Sequence, residues 1–217
     1  MIDLSRYIDY TNLRPTATLQ DILTLCQEAS DHNFKAVCVA PYYLYQAKKV
    51  LDKSEVKLCT VVGFPFGHDH VATKMTAIAM ACDYGADELD VVINLPSVKS
   101  GDWESVESEI DSITTAAKLK ANKVLKLILE TAYLTKEELI TLCNLCIKYN
   151  VDFAKTSTGF APHGATVQDV TFMRSILSDK VSIKASGGVK TREFTEQLIA
   201  AGATRIGTSS GIEILRQ

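Results

Sequence analysis

Short β-branched, apolar runs alternate along this chain with stretches whose apolar residues recur every three or four positions, and nothing else restricts its fold as strongly. The strand-like runs are residues 7–11, 34–39, 56–62, 88–93, 124–129, 151–154, 181–185 and 204–206. Helical spacing marks residues 19–29, 71–84, 103–119, 136–149 and 192–200. Thr135, with Glu138 three residues on, forms a capping box, and Gly85 and Gly202 stand just past the last periodic residues of their stretches. Near-continuous apolar strands joined by helices predict a parallel sheet covered on its outer face. Eight strands in 217 residues fit the low end of a (β/α)8 TIM barrel, an α/β fold, taken as one catalytic domain over residues 1–217. A doubly wound open sheet is the competing topology, but no Gly-x-Gly-x-x-Gly follows the first strand. Beyond Ser209 there is room only for a short last helix.

Composition narrows the function. A net charge of -3 gives no electrostatic reason to expect nucleic acid or an anionic membrane as partner. No apolar run approaches the roughly 18 to 20 residues of a membrane span, and the first residues lack the basic-then-apolar order of a signal peptide. The six cysteines lie mostly in apolar periodic segments and read as small buried hydrophobes, so a reducing, cytoplasmic setting is expected.

Chemistry is signalled where strands end in charge. Val151-Asp152-Phe153-Ala154-Lys155 closes an apolar run with a lysine before a polar turn, and Val181-Ser182-Ile183-Lys184 repeats that shape before Ala185-Ser186-Gly187-Gly188. Each lysine could simply snorkel to solvent. If both face a barrel lumen, adjacent strands about 4.8 Å apart make their ammonium groups neighbours, and like charge with burial favours a neutral amine on one. A neutral lysine forms Schiff bases with carbonyl substrates. On the strand around Glu88-Leu89-Asp90, Asp90 reads as the proton-transfer group, Glu88 as a deeper structural partner, and Asp87 as turn or solvent. Lys126 and Glu130 share a face: Lys126 either pairs with Asp90 in the lumen or pairs with Glu130 outward beneath a helix.

Two glycine-rich ends, Ser186-Gly187-Gly188-Val189 and Gly207-Thr208-Ser209-Ser210-Gly211, follow the seventh and eighth strands. Phosphate sites of this barrel are built there, so Gly187, Gly188, Ser209 and Ser210 are candidate phosphate contacts, with Gly159 grouped beside them and Thr156 supporting. Cys143-Asn144-Leu145-Cys146 reads as helix core, and His68 and His70 as helix-start residues, so no metal is expected.

Residues 151–160 (Val-Asp-Phe-Ala-Lys-Thr-Ser-Thr-Gly-Phe), 88–94 (Glu-Leu-Asp-Val-Val-Ile-Asn) and 183–189 (Ile-Lys-Ala-Ser-Gly-Gly-Val) resemble the three signature segments of the deoxyribose-phosphate aldolases. Val61-Val62-Gly63-Phe64-Pro65, Leu127-Ile128-Leu129-Glu130-Thr131 and Arg205-Ile206-Gly207-Thr208-Ser209-Ser210-Gly211 extend the match in order along nearly the whole chain. The resemblance implies a class I aldolase without metal or organic cofactor. Its reaction is reversible cleavage of 2-deoxy-D-ribose 5-phosphate to acetaldehyde and D-glyceraldehyde 3-phosphate, in deoxynucleoside breakdown. It implies Lys155 as the Schiff-base lysine, Lys184 as the lysine that lowers its pKa, Asp90 as proton-transfer carboxylate, and Asp9 in a relay with Lys184. It also implies small sugar phosphates and aldehydes as partners, and a homodimer or larger assembly. Tyr10, Arg14 and Ala40 depart from the histidine, lysine and asparagine common among relatives. A ketone-donor aldolase of the same fold and a non-catalytic sugar-phosphate-binding barrel are the rival readings.

Overall fold

The structure is a computed structural model describing residues 3–119 and 123–217; Met1 and Ile2, part of the segment read for a leader, lie outside it. Eight strands pair in parallel in chain order: β1 (Ile8–Asn12), β2 (Ala36–Val39), β3 (Lys57–Val62), β4 (Glu88–Val92), β5 (Val124–Ile128), β6 (Phe153–Lys155), β7 (Ser182–Ser186) and β8 (Arg205–Thr208). β8 returns to pair with β1, which closes the barrel. Around it lie α1 (Leu19–Asp31), α2 (Leu44–Leu51), α3 (Val71–Asp83), α4 (Leu95–Lys99), α5 (Trp103–Leu119), α6 (Lys136–Lys148), α7 (Val167–Leu177), α8 (Arg192–Ala200) and α9 (Gly211–Arg216). This is the expected (β/α)8 TIM barrel.

The sequence reading lacked α2, α4 and α7. Exposed Tyr45 and only eight residues blur the apolar stripe of α2, and α4 has five residues, too few to show a period. α7 carries a regular buried set, Val170, Met173 and Leu177, behind a Thr166 cap that accepts from the Asp169 amide, so its signal was present. The capping box of α6 forms as expected, and Cys143 and Cys146 are buried on that helix in the core. Among the described residues no helix is long and apolar enough to cross a membrane.

Successive strand residues point to opposite faces. One face carries Leu58, Leu89, Val91, Leu125, Leu127, Ile183 and Ile206, all in the main apolar core. The other brings Asp9, Glu88, Asp90, Lys126, Lys155, Lys184 and Arg205 together, every one buried. A TIM-barrel interior is ordinarily filled by branched aliphatic layers. Here the middle of the lumen is ionic, with a small apolar cluster of Cys38, Cys59 and Val61 beside it.

A second buried ion pair stands outside the lumen. Lys74 of α3 donates to the Glu109 carboxylate of α5 at 2.6 Å and to the carbonyls of Gly67 and Val92 at 2.6 and 2.8 Å. Glu109 in turn accepts from the Asn94 amide at 2.9 Å. One clamp thus ties two helices to the β3–α3 loop and to the end of β4, four residues past Asp90 at most. Removing one partner leaves the other buried and uncompensated. We predict that Lys74→Ala destabilises the fold by about 3–5 kcal/mol, measured by urea unfolding; a loss under about 1 kcal/mol would contradict the clamp.

Candidate active site

Strand register assembles the site. Lys155, Lys184 and Arg205 are direct partners across β6, β7 and β8, and Asp90 is the partner of Lys126 across β4 and β5. Asp90 Oδ2 accepts from Lys155 Nζ at 2.6 Å and from Lys184 Nζ at 2.8 Å. Its Oδ1 accepts from Lys126 Nζ at 2.8 Å and from the Cys59 thiol at 3.1 Å. Lys126 also lies 2.7 Å from Glu88 Oε2 and 3.8 Å from Asp9 Oδ2. Arg205 spans Glu88, at 2.8 and 3.3 Å, and Asp9 Oδ1, at 2.7 Å; Asp9 Oδ2 lies 2.5 Å from Lys184 Nζ. Close packing permits this. A Cβ on Gly207 would meet Ser186 Cβ at 2.8 Å and Lys184 Cε at 3.1 Å.

Electrostatics follow from who touches whom. Burial alone would raise the Asp90 carboxyl, but Lys126, Lys155 and Lys184 hold it well below the usual carboxylate range. Burial opposes the Asp9 charge likewise, and Lys184, Arg205 and Lys126 outweigh it, leaving Asp9 at about 2. Burial would lower Lys184, yet Asp9 and Asp90 push it above its ordinary value, and Lys126 is raised in the same way, chiefly by Asp90. Like charge and burial favour a neutral amine on one lysine of the Lys155–Lys184 pair. Lys184 is not that one, because Asp9 and Asp90 lie 2.5 and 2.8 Å from its ammonium and hold its charge.

Other expectations resolve individually. Lys126 takes the lumenal alternative, not the outward one. Glu130, at a positive φ of 57°, turns its carboxylate to the amide and hydroxyl of Thr158, and burial pushes that carboxyl up. Glu88 is the deeper partner expected. Asp87 is not merely turn or solvent: it accepts from the Leu58 amide at 3.0 Å. Thr156 is buried between β6 and β7, accepting from the Ser186 amide at 3.2 Å, and holds the two lysine strands in register. Ser209 lines the cavity and Ser210 is absent from its lining; the Ser210 amide donates to Thr208 Oγ1 at 2.9 Å. Cys38 is buried. Arg205 and Cys59 were missed.

Lys155 is 3% exposed and opens on a cavity of about 630 Å³. It is lined by Gly159, Gly187, Gly188, Lys190 and Ser209 from the loops after β6, β7 and β8, and by Tyr10, Arg14 and Glu28 from β1, the loop after it and α1. Gly187 has φ +86° and a Cβ there would meet Gly164 Cα at 2.9 Å, so only glycine fits the loop. Two donor sets in the lumen, Cys38 with Cys59 and Asp90, and Asp9 with Cys59 and Glu88, have atoms close enough for a metal ion. The Lys126 ammonium already fills that place, 2.8 Å from Asp90, 2.7 Å from Glu88 and 3.2 Å from Cys59 Sγ. A second cation there would be repelled. His68 packs on Phe66, and His70 stands at the start of α3.

Known proteins agree with this architecture. The family model described as DeoC/LacD family aldolase matches residues 5–217. The chain is 46% identical over 216 residues to a deoxyribose-phosphate aldolase of Thermococcus gammatolerans, covering 99% of this chain and 96% of that protein. A deoxyribose-phosphate aldolase of Brevibacillus brevis is 44% identical over 214 residues, 99% and 96% of the two chains. Among solved structures, the deoxyribose phosphate aldolase of Aeropyrum pernix, described as tetrameric, superposes with a TM-score of 0.91 at 34% identity, over 98% of this chain and 89% of that one. The chain belongs to the DeoC/LacD family of aldolases.

Proposed function

We propose that this aldolase works through an imine on Lys155 and reversibly cleaves 2-deoxy-D-ribose 5-phosphate to acetaldehyde and D-glyceraldehyde 3-phosphate, in deoxynucleoside breakdown. The observation that carries the reading is the sharing of Asp90 Oδ2 by Lys155, at the cavity floor, and Lys184, held charged below it. Neutral Lys155 Nζ attacks the C1 aldehyde of the open-chain sugar, and loss of water leaves an iminium. Asp90 takes the proton of the C3 hydroxyl, the C2–C3 bond breaks as C3 becomes the aldehyde carbon of glyceraldehyde 3-phosphate, and its electron pair moves into the iminium to give a C1–C2 enamine. Protonation of that enamine and hydrolysis release acetaldehyde and free Lys155. Lys184, anchored by Asp9, is placed to pass protons during imine formation and hydrolysis.

Gly187, Gly188 and Gly159 amides, the Ser209 hydroxyl and the exposed Lys190 form the wall suited to the phosphate, which would fix C1 over Lys155. No organic cofactor or metal is needed for this sequence of steps. The similarity to a tetrameric relative and exposed Tyr42, Met80 and Tyr84 support a homo-oligomer. Buried Cys26, Cys38, Cys59, Cys143 and Cys146, none of them in a disulfide, suit a reducing cytoplasm.

Lys155→Ala should lower kcat by about a thousandfold or more, followed by acetaldehyde release; near-normal turnover would refute the imine role. Lys184→Leu should lower kcat by about a hundredfold or more and move the acid limb of kcat/KM to higher pH. An active variant with an unmoved profile would reject its assignment. Two charge-assisted hydrogen bonds to phosphate contribute about 3 kcal/mol or more, so unphosphorylated deoxyribose should show kcat/KM at least about a hundredfold lower. Equal values for the two sugars would remove the phosphate wall.

A further inference from the structure

Four cations, Lys126, Lys155, Lys184 and Arg205, meet three carboxylates, Asp9, Glu88 and Asp90, in the buried lumen. An unmatched buried charge is costly, and loss of one proton removes it. Arginine does not give one up. Lys126 lies within 4 Å of three carboxylates and Lys184 of two, whereas among the described residues Lys155 has Asp90 alone. Lys155 is therefore the cation of the lumen with the fewest carboxylate partners. Neither Arg205 nor Glu88 lines the cavity, yet each changes the charge count of the lumen by one.

We propose that Arg205 is a positioning residue which, balanced against Glu88, sets the pH at which Lys155 becomes a free amine, by keeping the lumen one positive charge in excess. Arg205 occupies Glu88 and Asp9 Oδ1, and so leaves Asp9 Oδ2 to Lys184 and no spare carboxylate for Lys155. This rests on Lys155 being the imine-forming lysine. Other groups facing Lys155 are the Cys38 and Cys59 thiols of β2 and β3, and Glu130 beyond β5 bonded to Thr158. Arg14, Lys190, Asp21 and Glu28 line the solvent-filled mouth. All of these are common to the variants compared.

The test is the pH profile of kcat/KM for Arg205→Met and Glu88→Gln. Arg205 stands two strand spacings from Lys155, roughly 10 Å, so a unit charge there moves the titration by about one pH unit. Removing the arginine charge should make the Lys155 ammonium easier to keep and shift the acid limb up by about one unit. Removing the glutamate charge should shift it down by about as much. General loosening of the barrel would not move two limbs in opposite directions. Limbs that stay put or move together overturn the proposal. If circular dichroism shows Arg205→Met unfolded, Glu88→Gln decides: a downward shift supports it, an unmoved or upward limb overturns it. Cys38, whose thiol is pulled down by its hydrogen bond with Cys59, is the remaining group able to add negative charge. Opposite shifts that persist with Cys38→Ser support the count; signs lost there overturn it. Retained turnover in Lys155→Ala would instead sink the imine reading itself, a distinguishable failure.

Discussion

Asp90 accepts from three lysine side chains at once, and the barrel is arranged so that this can exist without water. A carboxylate with Lys126, Lys155 and Lys184 on its two oxygens is stable in a buried place because its charge is compensated there. Closure of β8 on β1 supplies such a place, since it brings Asp9 and Arg205 round to the lysines of β5 and β7. Glu88 completes the set from beneath. The apolar cost of an ionic lumen is offset outside it, where the other strand face packs against the helices.

Within that arrangement the three lysines are chemically unequal although they share one carboxylate. Depth decides the difference: Lys126 and Lys184 are tied to Asp9 as well, while Lys155 ends at the cavity floor with one partner. Of the three residues that depart from the resemblance, Tyr10 and Arg14 line the cavity and Ala40 does not. Tyr10 there donates to Glu28 at 3.0 Å, and burial with that carboxylate pushes its phenol up; Arg14 reaches Asn12 Oδ1 at 3.3 Å. Both take part in contacts apart from the lysine–aspartate cluster, so these departures bear on the cavity lining.

Much of this was legible before any coordinates. Lys155, Lys184 and Asp90 stood out because charge inside an apolar strand needs a reason, and the matching turns after β7 and β8 marked the cavity side. Period two alone could not choose a face for Lys126, since the same alternation serves lumen and helix layer. Arg205 escaped notice because it opens a strand of four residues, too short to show alternation. The direction of the Lys184 shift required knowing that Asp9, far away in sequence, sits 2.5 Å from it. Ser209 and Ser210 both read as hydroxyls at the start of the helix after β8, and sequence alone does not say which of two neighbouring residues reaches the cavity.

The most direct test of the central claim is covalent: incubate the folded protein with 2-deoxy-D-ribose 5-phosphate, reduce with borohydride, and map the modified peptide by mass spectrometry. A single reduced adduct on Lys155 is predicted, with Lys126 and Lys184 unmodified. An adduct on Lys184 or Lys126, or none on well-folded protein, would contradict the assignment of Lys155 as the amine that the lumen sets free.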